Sequence, residues 1–257
     1  LPSVDTIIPE INDRLSLAKW IASPQNYMTT RVIANRIWQY HFGRGIVRSS
    51  NNFGQLGTPP THPHLLDWLA RYLVNSDWKL KTLHRLIMTS RTYQMSSADN
   101  SQGLALDPDN NFFWRFDMRR LSAEEVRDSL LAVNQSLNRQ VYGPSFFEKL
   151  SPEVLASQSQ PGKGWGDSSP TECNRRSIYI HVKRSLISPL LCAFDFPDPD
   201  SSCEARFLTL QPSQALALLN GEFAHEQAKQ LGQIISAKSE DVDRQITEAI
   251  RLVFARQ

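Results

Sequence analysis

Apolar side chains return every three or four residues along six stretches of the chain, and this spacing limits the fold more than any other feature. One face of an α-helix carries residues at i, i+4 and i+7, as Ile33, Ile37 and Tyr40 do here. The six stretches are 33–40, 65–73, 80–87, 126–137, 224–235 and 246–253. We therefore predict a mainly α fold, an irregular helical domain.

Local signals predict where two of these helices begin. Ser122 and Glu125 have the spacing of a capping box, in which each side chain bonds the other residue's backbone N–H. This box predicts a core helix that runs to about Asn138. Upstream, Thr61 has the position of an N-cap, and Pro63 suits the first turn of the helix that follows.

One short stretch alternates in the manner of a β-strand. In 176–184, Ile178, Ile180 and Val182 alternate with polar or aromatic neighbours. A strand needs a partner, and the best candidate is the aromatic stretch 112–118. We predict a minor two-stranded β element and no larger sheet.

Between Gly143 and Cys173 the periodicity is lost in a long Gly/Pro-rich loop. Such a loop inside a compact domain is either functional or a boundary between lobes. We expect one domain over 1–257, excised from a larger protein. The alternative is two lobes, 1–142 and 174–257, joined by the loop 143–173.

Composition places the chain among folded soluble proteins. Hydrophobic residues make up 40% of it and charged residues 21%, which excludes intrinsic disorder. The net charge of +2 is too small to indicate nucleic acid, and no nucleic-acid motif is present. No long apolar span occurs, so no transmembrane segment is expected.

The cysteines do not predict a metal centre or a disulfide framework. Cys173, Cys192 and Cys203 are odd in number and lack CxxC spacing. Buried free thiols are the preferred interpretation, and a Cys192–Cys203 disulfide is the alternative for an exported domain. The haem-attachment sequence CxxCH does not occur, so we expect no cofactor in this segment.

Charge is distributed unevenly along the chain. From 29 to 95, nine basic and two acidic side chains give +7, whereas 186–257 carries six basic and ten acidic side chains, giving −4. Arginine outnumbers lysine by 20 to 8, and guanidinium groups suit two-point contacts with carboxylate or sulfate. Either these charges pair within the protein, or the basic segment faces an anion.

The basic segment supplies a candidate ligand site. Its residues are Arg36, Trp38, His41, Arg44 and Arg85. Arginines would bind the charged groups, aromatic faces would stack on sugar rings, and a Gly-Arg-Gly turn would present backbone N–H groups. In the rival interpretation, the same side chains lock helix ends and turns together, and each arginine caps carbonyls or pairs with Asp67, Asp77 or the C-terminal acids.

Metal binding is not expected. His62, His64 and Asp67 lie close in sequence, but the surrounding positive charge opposes a cation. The aspartates of 194–200 fit an acidic turn better than a calcium loop, because the glycine and glutamate of an EF-hand are missing at the required offsets.

Motifs of the common catalytic classes are missing. The sequence has no GxSxG elbow, Walker loop, dinucleotide-binding fingerprint or HExxH. Whether the protein is an enzyme stays open, and the absence of these motifs favours a domain without catalytic activity.

Nine sequence blocks in order resemble the Planctomycete-specific domain PSD1, also called DUF1553. They include Arg-Val-Ile-Ala-Asn-Arg-Ile-Trp and Phe-Asp-Phe-Pro-Asp, and the blocks are 31–38, 41–47, 52–54, 60–63, 83–90, 119–121, 175–179, 194–198 and 212–216. The resemblance extends from about residue 15 to 228. It carries no catalytic residues across, because the family has no established activity.

The resemblance implies a context. Proteins with this domain look like large exported bacterial proteins, periplasmic or associated with the cell envelope, with companion DUF1549-like and cytochrome c-like domains that would hold any haem. We therefore expect an accessory or binding domain of an exported multidomain protein that recognises an anionic ligand, such as an anionic polysaccharide, or a partner domain. The alternative is an enzyme that acts on glycans or another anionic substrate.

Overall fold

The computed structural model describes residues 12–255, and within this range it contains helices, turns and irregular segments but no sheet. The predicted mainly α fold is confirmed. The chain forms two compact units, the first ending at Arg119 and the second beginning at Arg120. This boundary lies upstream of 143–173, the stretch we considered as a link between lobes, and that stretch lies within the second unit.

Five helices are described in the first unit. They are α1 (Arg14–Ile21), α2 (Tyr27–Phe42), α3 (Pro63–Asn75), α4 (Leu80–Met88) and α5 (Ser101–Leu106). Helix α2 packs against both α3 and α4, and α3 also packs against α4. Helices α2, α3 and α4 therefore surround one core.

That core is apolar and rich in aromatic rings. Leu73 and Leu83 are fully buried, as the helical spacing predicts, and Ala34, which lies outside the predicted stripe, is fully buried too. The Phe42 ring stacks on Trp38 with centroids 4.2 Å apart and meets the edge of Phe113 at 5.4 Å. Two predicted stripes are shorter than expected. Tyr40, the last residue of one, and Leu80, the first residue of another, are exposed.

A buried asparagine fastens the turn after α2 to the helix. The Asn35 side chain accepts a hydrogen bond from the Val47 N–H (2.8 Å) and donates one to the Val47 carbonyl (3.0 Å). Gly45 lies beside this contact, where a Cβ atom would come within 2.6 Å of the Asn35 amide nitrogen. Gly43 caps α2 at φ 79°, a left-handed conformation that glycine adopts without strain.

The start of α3 differs from the prediction. The N-cap is His62 rather than Thr61, and Pro63 is the first helical residue. Thr61 instead donates its backbone N–H to the Ile46 carbonyl at 3.0 Å. That tertiary contact withdraws Thr61 from capping the helix.

The second unit contains seven α-helices among its described residues. They are α6 (Ala123–Val133), α7 (Pro152–Ala156), α8 (Pro170–Cys173), α9 (Pro189–Ala193), α10 (Pro212–Asn220), α11 (Glu222–Ser236) and α12 (Val242–Phe254). The predicted capping box of Ser122 and Glu125 starts α6. This helix ends at Val133 rather than near Asn138, because the Ser136 and Leu137 N–H groups both turn back to the Leu131 carbonyl.

The predicted strand at 176–184 is wrong. Ser177–Tyr179 forms a 3₁₀ turn, which leaves Ile178 73% exposed while Ile180 is 7% exposed. Ile180 forms an isolated β-bridge with Phe146, so its partner lies in 143–173 and not in 112–118. The turn is held by Asp128, a residue distant in sequence, whose carboxylate accepts hydrogen bonds from both the N–H and the hydroxyl of Ser177.

The stretch 143–173 is irregular apart from the short helices α7 and α8, and it is firmly attached to its own unit. The Trp165 indole N–H donates to the Glu148 carbonyl at 3.1 Å, and Phe146 is a buried core residue. Gly166 packs so closely under the Phe147 ring that a Cβ there would lie 2.9 Å from it. These contacts explain why the loss of periodicity does not mark a boundary here.

The last helix, α12, exposes its apolar stripe. Ile246, Ile250 and Val253 follow the predicted helical spacing, yet each is about half exposed, at 53%, 46% and 49%. The helical periodicity therefore predicts the helix correctly but not its burial. No helix between residues 12 and 255 is long and apolar enough to cross a membrane.

Candidate anion-binding site

The structure places the five predicted ligand residues in different surroundings. Trp38 is a core residue, 5% exposed, and its ring packs on Phe42 and Phe113. Arg36 lies half-buried on α2, and Arg85 is exposed on α4. His41 is half-buried at the end of α2, where it meets α4.

Arg44 is held by internal partners. Its guanidinium donates to the Asp109 carbonyl at 2.8 Å and to the Asn110 carbonyl, and it pairs with the Asp117 carboxylate at 2.9 Å. It also lies over the Phe113 ring. The carbonyl contacts are of the kind that the rival interpretation described, although Asp117 is not among the acids that it named.

Other arginines of the first unit have carboxylate partners too. Arg31 donates to Asp67, with 2.6 Å between Nε and Oδ1, and Arg115 pairs with Asp99. Pairing offsets part of the cost of taking these guanidinium groups out of water, and the N–H donors engaged in it are not open to a ligand.

Helix α4 and the turn after it carry basic residues of a different kind. Lys81, Arg85 and Arg91 are all exposed, and none of them has a salt-bridge partner among residues 12–255. The sequence from 78 to 98 contains no aspartate or glutamate. Because Lys81 and Arg85 are one helical turn apart, they project from the same face.

A pair of histidines adjoins this face. The His41 Nε2 and His84 Nδ1 atoms are 2.8 Å apart, and a hydrogen bond joins them. The Tyr93 ring meets His41 edge-on, with 5.6 Å between centroids. His84 is the immediate neighbour of Arg85, so the pair connects α2 to the basic helix.

Burial lowers the pKa of His41, and the nearby charges of His84 and Arg119 lower it further. The unfolded chain therefore binds this proton more readily than the folded one, and stability is lost as the pH falls below the ordinary histidine value of 6.5. We expect the thermal unfolding midpoint to fall between about pH 7.5 and about pH 5.5, and to fall less in His41→Gln. Differential scanning fluorimetry across this range measures it.

The matched control for this pH effect is His64→Gln, since His64 is an exposed histidine of the same unit. Its pH profile should follow that of the parent chain. Carboxylate protonation acts at lower pH, near and below about pH 4, so it does not obscure this window. Equal pH profiles for His41→Gln and the parent would contradict the assignment.

Lys81 and His84 lie on or beside this basic face but are not among the five predicted ligand residues. The signal for Lys81 was present, because it lies four residues before Arg85 in a stretch without acids. His84 could not be paired with His41 from the sequence, since 43 residues separate them.

In the second unit, the strongest polar cluster is structural. Arg127 is 1% exposed, and its guanidinium pairs with Glu148 at 3.1 Å and donates to the carbonyls of Cys173 and Arg175. The Arg127 guanidinium also faces the Phe146 ring. The buried Arg127 thus holds Glu148 and the backbone at Cys173 and Arg175 against α6.

The acidic turn is organised by Asp195. This carboxylate pairs with Arg120 at 2.6 Å and accepts hydrogen bonds from the N–H and hydroxyl of Thr209. Burial acts to raise the pKa of Asp195, but the hydrogen bonds from Thr209 and the charge of Arg120 together hold it below its usual value. Asp195 is thus occupied by protein groups, and in the described part of the chain no three metal-ligating side chains converge.

The cysteines are free thiols in this structure. Cys173 is half-buried and its pKa is raised by burial, which makes the reactive thiolate scarce. Cys192 and Cys203 are exposed, contrary to the expectation of burial.

Comparison with known proteins places the chain in a family. No curated protein and no solved structure gives a significant match. The family model of PSD1, described as a protein of unknown function (DUF1553), matches residues 13–257. This match covers nearly the whole chain, as the ordered sequence blocks predicted, and the chain belongs to the PSD1 (DUF1553) family.

Proposed function

We propose that this domain is a binding module that recognises an anionic ligand through Lys81, Arg85 and Arg91. The observation that carries the proposal is the division among the basic side chains of the first unit. Arg31, Arg44 and Arg115 are each paired with a carboxylate, whereas the three cations of α4 and its following turn face solvent without one. This site keeps Arg85 from the sequence-based set and replaces Arg44.

Sulfate and carboxylate groups are the ligand chemistry that such a face favours. Two exposed cations one turn apart can contact successive charged groups on a flexible chain, and each exposed contact contributes only about 0.2–1 kcal/mol. A useful affinity therefore needs repeated anionic groups. A polysaccharide with sulfate or uronate groups meets this requirement.

We also propose the setting of the domain. As an accessory part of an exported, multidomain protein in the periplasm or cell envelope, it would hold the ligand near companion DUF1549-like and cytochrome c-like domains. The family resemblance supports this setting.

The test compares two double variants of equal charge. Lys81→Ala/Arg85→Ala removes a lysine and an arginine from α4, and Arg14→Ala/Lys19→Ala removes the same two residue types from the exposed surface of α1. We expect the α4 variant to bind sulfated dextran about three- to tenfold more weakly at low ionic strength, because two exposed contacts are lost. Isothermal titration calorimetry measures this change.

The α1 variant is the control for net charge, and it should bind like the parent chain. The difference between parent and α4 variant should shrink as salt is added, since exposed charges are screened. Equal losses in both variants would mean that only net charge matters. No binding by the parent chain at low salt would overturn the proposal.

A further inference from the structure

The contact between His41 and His84 places a proton-binding pair next to the proposed anion site. At 2.8 Å, one ring nitrogen must carry the hydrogen and the other must present its lone pair. In the neutral pair the donating ring keeps a lone pair on its outer nitrogen, whereas the accepting ring already carries its hydrogen on the outer nitrogen. One added proton therefore leaves the hydrogen bond intact, whereas a second would place two N–H groups face to face.

The positions of the neighbouring groups determine the effect of that proton. Arg119 acts on His41 as a positive neighbour, and Tyr93 presents its ring. From α3, Asp67 is already engaged by Arg31, and on α4 Lys81 and Arg85 add positive charge. The pair thus lies among cations and takes up a proton more readily once an anion is bound nearby.

We infer that the His41–His84 pair makes anion binding at α4 proton-dependent, so that the domain holds a sulfate-bearing chain more tightly in acid than at neutral or basic pH. This inference rests on the proposed function, because it assigns a regulation to the same site. Each singly protonated pair would add one positive charge beside Arg85. By reciprocity, the bound anion would also increase proton uptake by the pair.

The size of the effect follows from the distance between charges. A unit charge at about 7 Å in water changes the interaction with a single anionic group by enough to alter affinity about threefold. The probe is sulfated dextran, whose sulfate esters stay ionised over the tested range. Any pH dependence then arises from the protein.

The experiment measures the dissociation constant of sulfated dextran at about pH 8 and about pH 5.5, at one low ionic strength, for the whole 257-residue chain. We expect binding about two- to threefold tighter at the lower pH. The ratio of the two constants should approach one in His84→Gln and in His41→Gln. In His64→Gln, which removes an exposed histidine away from the pair, the ratio should match that of the parent.

The outcomes separate this inference from the proposed function. Binding that needs Lys81 and Arg85 but has the same pH ratio in the parent and both pair variants overturns the inference alone. Absence of binding at both pH values overturns the proposed function as well. Circular dichroism checks that each variant is folded at about pH 5.5. If either His41→Gln or His84→Gln is unfolded there, the inference is tested by the ratio of dissociation constants measured for the other variant.

Discussion

Replacing Arg127 by alanine is expected to lower the free energy of unfolding of the second unit by about 3–5 kcal/mol. The change leaves the buried Glu148 carboxylate, 7% exposed, without its cationic partner. It also removes the donors to the Cys173 and Arg175 carbonyls and the contact with the Phe223 ring. Urea unfolding followed by Trp165 fluorescence measures the loss, since Trp165 is the only tryptophan after residue 119.

Two further variants test the reason for this effect. Arg184→Ala removes an arginine that is 79% exposed and pairs with an exposed Asp200, so it should change stability by less than about 0.5 kcal/mol. The double change Arg127→Met/Glu148→Leu removes both buried charges and should recover much of the stability. An Arg127→Ala loss below about 1 kcal/mol would show that the buried pair is not a main support of this unit.

Replacing Asn35 by leucine is expected to destabilise the first unit by about 2–5 kcal/mol. Leucine has a similar size but offers neither the acceptor for the Val47 N–H nor the donor for its carbonyl. Both backbone groups would stay buried without a partner, because Val47 is 3% exposed. Urea unfolding, monitored by the tryptophans of the first unit, reports the change.

The control is Asn51→Leu, which alters an exposed asparagine in the same part of the chain. We expect it to shift stability by less than about 0.5 kcal/mol. If the two variants lose the same amount, the buried hydrogen bonds of Asn35 do not provide the stabilisation assigned to them.

Helices could be predicted from the sequence where the interactions that form them lie close together in the chain. The capping box at Ser122 and the apolar spacing of α2 act within one or two turns, so both appear in the structure. The strand at 176–184 failed because alternation is also compatible with a 3₁₀ turn. That turn is fixed by Asp128, 49 residues away from Ser177.

The candidate site was predictable only in part, for a similar reason. A basic segment can be read directly from the sequence, but which arginines are occupied depends on distant partners. Arg44 lies against Asp109 and Asn110, 65 and 66 residues further along the chain. Arg85 has no such partner among the described residues, and the stretch without acids around it is the sequence feature that distinguishes it.

The two hydrogen bonds between the Asn35 side chain and the Val47 backbone affect the dynamics of the turn after α2. An amide in an irregular segment normally exchanges its hydrogen through small local openings, yet the Val47 N–H is bonded to a side chain from the centre of the core. Releasing it requires Asn35 to leave the core. The turn that contains Gly43 and Gly45 therefore opens together with the first unit and belongs to the same cooperative folding unit as helix α2.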